Sequence, residues 1–168
     1  MTEMAAGTEK YIDIMIESLR KKDRILKQLL DRCEDQAKVI ADHDYGSVNW
    51  DQFNGLIADK EILINQLEDL DNGFEALFER IGDEVRNNKE RYSTQIRTIQ
   101  ELIRSVTDKG VAIRAREERN RANLERVLLP AKKEIKSSKR SMSVINSYQN
   151  TMSGAGLHNS SGWVDKKK

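Results

Sequence analysis

Few groups in this chain could do chemistry, and each has a structural job open to it. The two histidines, His43 and His158, have no second histidine or cysteine at ligand spacing, so no metal site is expected. Asp69-Leu70-Asp71-Asn72-Gly73 begins like a calcium loop, but its glycine is fifth rather than sixth and the twelfth residue is Arg80. Cys33, the single cysteine, lies in line with apolar neighbours at helical spacing and reads as an inert core thiol. No nucleophile–base pair and no glycine-rich phosphate cradle emerges. The expectation is a protein that is not an enzyme and uses no cofactor.

Lys60, Glu117 and Asn120 are the polar residues whose positions matter most. They fall on the apolar seams of two successive helical tracts, where a charged layer fixes alignment better than it adds stability. This layer is expected to set the register of those helices. The run Arg114, Arg116, Arg119, Arg121 and Arg126 lacks interleaved aromatic residues on which bases would stack. Its plainer reading is a solvated face, or one turned toward acidic helices.

Three tracts must position these residues. In the first, Ile12, Met15, Leu19, Leu26, Leu29, Cys33 and Ile40 repeat at 3–4 spacing, with Lys22 and Gln36 in phase. Turn formers at 42–47 interrupt it. The second restarts after Asn49, an N-cap with Gln52 three residues on, and runs Phe53, Leu56, Lys60, Leu63, Leu67, Leu70, Phe74, Leu77, Ile81. At Asn87-Asn88 the phase slips by one, which a turn there explains and a stutter in one continuous helix would explain too; the turn is the expected reading. The third carries Tyr92, Ile96, Ile99, Ile103, Val106, Ile113, Leu124 and Val127 before Pro130.

The sequence thus predicts an all-α fold: an elongated antiparallel three-helix, coiled-coil-like bundle over 1–129, with helices at about 8–42, 49–86 and 89–129. Folding the tracts back puts Lys22 near Asp71, Leu26 against Leu67, and Glu117 near Lys60 beside Cys33. Beyond this, 130–152 reads as an additional amphipathic, basic helical segment and 153–168 as a flexible Gly/Ser-rich tail. Helix two begins near 49 and so stops covering helix three near 126. That leaves Val127 to Met152 without a partner in the chain, about 39 Å if helical. Val127, Leu128, Ile135, Met142, Ile145, Tyr148 and Met152 are the expected binding stripe for another protein. Lys132, Lys133, Lys136, Lys139 and Arg140 are expected to steer acidic partner flanks toward it.

Composition fits long helices: 34% charged residues, 5% aromatic and one proline. Residues 1–87 hold 11 Lys/Arg against 20 Asp/Glu, a balance of −9, whereas 88–168 hold 18 against 8, a balance of +10. In an antiparallel bundle this split is complementary. No apolar run is long enough for a bilayer span, and no signal-like start is visible, so a cytoplasmic protein is expected.

Three stretches resemble the FlgN-type flagellar export chaperones: DKEILINQLE at 59–68, VAIRAREERNRANLERVL at 111–128, and the lysine-bearing end GWVDKKK at 162–168. The resemblance implies a non-enzymatic chaperone. Such proteins bind hook-associated (hook–filament junction) proteins, prevent premature assembly and deliver them to the type III export gate. It also implies client binding in the C-terminal part. The longer basic segment after Pro130 and Trp163 depart from the family pattern. FliT-type chaperones of the filament cap protein share the architecture. A structural coiled-coil adaptor, a homodimer, a surface-lying amphipathic helix and a fourth helix folded back on the bundle stay open. Neither nucleic acid nor stable membrane insertion is expected.

Overall fold

The computed structural model describes residues 2–130, with side chains from residue 7 onward. They form three α-helices, α1 (Thr2–Ile40), α2 (Trp50–Asn87) and α3 (Ser93–Leu128). Each of these spans about 55–60 Å at 1.5 Å per residue. The all-α bundle is as the heptad spacing predicts. Its boundaries differ in two places. α1 starts at Thr2 rather than near 8, because Met4, Ala5 and Ala6 are good helix formers. α3 starts at Ser93 rather than 89, because residues 88–92 turn the chain.

Each turn has a local cause. α1 stops where Asp42 takes φ +57°, the left-handed conformation common just past helix ends. Asp44 and Ser47 then close a tight loop: the Ser47 hydroxyl donates to Asp44 Oδ1 at 2.8 Å and the Ser47 N–H to the same oxygen at 3.0 Å. α2 opens with Asn49 Oδ1 accepting the Gln52 N–H at 3.1 Å. Asn88 ends α2 with its backbone N–H on the Val85 carbonyl at 3.3 Å and its side-chain amide on the Glu84 carbonyl at 2.8 Å. The asparagine pair therefore marks a turn and not a stutter in one long helix.

α1 lies closest to both neighbours, while α2 and α3 approach each other less closely. The core is segmented. One apolar block holds Ile12, Met15 and Leu19 with Ile81, Val85, Tyr92, Ile99 and Ile103. A middle block holds Leu26, Leu29 and Cys33 with Ile64, Leu67, Val106 and Ile113. The last gathers Ile40, Val48, Phe53, Ile57, Leu124, Val127 and Leu128. Burying each such aliphatic side chain is worth about 1.5–3 kcal/mol. Buried charge separates the blocks.

Candidate functional site

Between the middle and last blocks sits the layer that the seams point to. Lys60 is 0% exposed. Its ammonium lies 2.6 Å from Glu117 Oε1 and also donates to Gln36 Oε1. The Cys33 thiol donates to that same Glu117 oxygen at 2.6 Å, and Asn120 Nδ2 donates to the Cys33 carbonyl at 2.9 Å. All three helices contribute. A buried lysine is tolerable only when its charge and protons are matched, and here three acceptor-bearing neighbours do so. The spacing of Lys60, Glu117 and Asn120 brings them together as expected; Gln36 and Cys33 complete the layer.

A second layer separates the first and middle blocks. Lys22 Nζ lies 2.5 Å from Asp71 Oδ1, with side chains only 6% and 10% exposed. Burial raises the Asp71 pKa above its ordinary value of 3.8, opposed by the hydrogen bond and charge of Lys22 and reinforced by Glu75 and Glu68. At the α2–α3 turn, Thr8 Oγ1 donates to Glu84 Oε2 at 2.6 Å and Tyr92 OH to Glu84 Oε1 at 3.5 Å. Burial, then the Glu84 charge, pushes the Tyr92 phenol up.

Within the arginine run, Arg116 is half-buried and turned toward α1, whereas Arg114, Arg119, Arg121 and Arg126 are exposed. Arg116 meets Glu34 at 2.9 Å and Lys109 meets Asp23 at 2.8 Å, where Ser105 also donates. Arg121 instead pairs along its own helix with Glu125. Among the described residues no cluster of His, Cys, Asp and Glu is arranged to hold a metal, and no helix is long and apolar enough to cross a membrane.

No family model, curated protein or solved structure matches this chain.

Two of the expected binding residues need correction. Val127 and Leu128 are 2% and 1% exposed, packed with Ile40, Val48, Phe53 and Ile57. Helix-to-helix arithmetic left them uncovered because it ignored the α1–α2 loop. Val48 plugs the bundle end, flanked by Tyr45 and Trp50. The Trp50 indole donates to the Tyr45 carbonyl at 3.0 Å, and its ring packs edge-on against Phe53 at 5.6 Å. Apolar Tyr45, Val48 and Trp50 inside a turn-forming stretch were the available signal. Leu129, one residue on, is 64% exposed. Lys132, Lys133, Ile135, Lys136, Lys139, Arg140, Met142, Ile145, Tyr148 and Met152 lie outside the described residues, as do the extra helical segment and the tail.

Proposed function

We propose that this chain is a cytoplasmic export chaperone of the FlgN type. It holds amphipathic helices of hook-associated flagellar proteins and passes them to the type III export apparatus. The supporting observation is that α1, α2 and α3 bury their heptad seams against one another as far as Val127 and Leu128. In the sequence, the apolar residues after Pro130 come after the last of the three seams. Ile135, Met142, Ile145, Tyr148 and Met152 form the client-binding set, with Val127 and Leu128 removed from it.

The mechanism is burial of this stripe against a client helix, as in helix-in-groove recognition. Lys132, Lys133, Lys136, Lys139 and Arg140 speed encounter with acidic client flanks and suppress wrong partners. Immobilising rotamer-rich side chains at the contact opposes binding, which keeps affinity modest and release at an export gate feasible. The bundle supplies the rigid platform. No group in it is asked to do covalent chemistry.

The test is capture of purified hook-associated proteins by the full chain, compared with a Met142→Asp, Ile145→Asp variant. Loss of capture with an unchanged melting temperature is expected. Undiminished capture by the variant would move the client site off this segment. Capture of the filament cap protein alone would favour the FliT-type reading. Self-association without capture of any client would favour the coiled-coil adaptor.

A further inference from the structure

Two glycines on the outer face of α2 have no cause among the described residues. Gly55 and Gly73 lie in the helix interior, outside the left-handed region, and nothing stands within 4 Å of where a Cβ would be. Each weakens the helix relative to alanine, and neither packing nor backbone geometry requires it. At helical spacing they align with Ala58, Ile62 and Ala76 on the solvent side, where Ile62 is 58% exposed. The result is a track of small residues with one large aliphatic side chain in it. Glu61, Glu68 and Glu75, each seven residues apart, run along one flank, and Asp59 stands on the other. A second helix can bring its backbone close over such a track, and carboxylates on its flanks favour a basic one.

We propose that this track receives residues 131–152 of the same chain, laid along α2 when no client is bound. The described chain ends at the tip where α2 begins, since Val127 and Leu128 pack with Phe53 and Ile57. A helix returning from that tip runs beside α2, and 131–152 covers about 33 Å of it at 1.5 Å per residue. Residue 135 then comes level with about residue 55, so Ile135 falls over Gly55, Met142 against Ile62 and Met152 near Gly73. Lys139 and Arg140 come level with Asp59 and Glu61. Charge selects α2 over its neighbours. α3 exposes Arg114, Arg119 and Arg126, which repel a basic segment. α1 pairs much of its own charge, Arg24 with Glu17, Lys27 with Asp31 and Arg32 with Asp35. The contact covers the stripe assigned to clients, so a client must displace it; that consequence rests on the reading of this segment as the client site.

Hydrogen exchange on the full chain tests the docking without any client. Amides of 135–152 are expected to be protected, equally in dilute and concentrated solution. That protection should be lost in Gly55→Gln, Gly73→Gln, which fills the track, and in Glu61→Lys, Glu68→Lys, which reverses one flank. All four positions are exposed or half-buried, and unchanged protection of the α1 and α3 amides shows that the bundle stays folded. Fast exchange of 135–152 in the native chain, or protection that survives both variants, overturns the proposal. So does protection that grows with concentration, as a second copy of the chain would give. Both variants should also bind hook-associated proteins several-fold more tightly, because more of the chain is then competent to bind. Unchanged client affinity would overturn the competition, whereas absence of any capture with the exchange pattern intact would count against the client reading and leave the docking standing.

Discussion

Lys60 shows how a single buried group can serve alignment without serving stability. Its ammonium meets Glu117, Gln36 and Cys33 in a layer with almost no solvent. Removing one partner strands the other, so Lys60→Leu is expected to cost about 3–5 kcal/mol in urea unfolding. Adding Glu117→Leu should recover most of that loss. Equal stability for the single variant and the native chain would show that the layer carries no such energy. Asp71 makes a prediction of opposite character, because its folded pKa lies above the ordinary 3.8. The folded state then binds a proton more tightly than the unfolded chain. Asp71 therefore disfavours folding at neutral pH, and this penalty is relieved as pH falls through the raised value toward 3.8. Stability of the native chain minus that of Asp71→Asn should rise on acidification over that window; a flat difference would contradict it. Asp44, lowered first by the Ser47 hydroxyl and then by the Ser47 N–H, has the reverse sign: its contribution is present above 3.8 and lost as pH falls through its depressed value.

At the scale of elements, the bundle end is where spacing alone misleads. Seam periodicity in the sequence locates the three helices, the N-cap at Asn49 and the turn at Asn88, because each is set by local chemistry. It also locates Lys60 against Glu117 and Lys22 against Asp71, because antiparallel pairing follows from where the turns fall. It does not show that Val48 and the Tyr45–Trp50 pair fold over the tip, since a loop has no period to read. Nor does it show that Asp71 Oδ2 lacks a hydrogen-bond partner among the described residues, which depends on how two side chains meet. The tip yields a direct comparison. Leu128→Ala removes a side chain sealed among Ile40, Phe53 and Val127 and should cost about 2–5 kcal/mol. Leu129→Ala, exposed, should stay within about 0.5 kcal/mol. Similar thermal shifts for both would mean the tip is not packed as described. Asn49→Ala, which removes the cap on the Gln52 N–H, should cost about 1 kcal/mol by the same melts.

For the whole molecule, the alternation of apolar blocks and charged layers decides which of several similar alignments is adopted. Leucines and isoleucines recur at heptad spacing on every helix, so sliding α2 by seven residues along α1 would still place apolar side chains on apolar side chains. The same slide would separate Lys22 from Asp71 and Lys60 from Gln36 and Glu117, leaving several charges buried and unpaired. That penalty, about 3–5 kcal/mol for each broken pair, exceeds what a shifted aliphatic contact loses. Replacing both layers at once, with Lys22→Leu, Asp71→Leu, Lys60→Leu and Glu117→Leu, should therefore raise the melting temperature while removing the barrier to other registers and to self-association. Size-exclusion chromatography with light scattering should find mixed oligomers, and NMR spectra should show more than one set of core methyl signals. A single sharp set from a species of native size would mean that the apolar side chains alone fix the alignment, and that the buried charges are not what selects this fold.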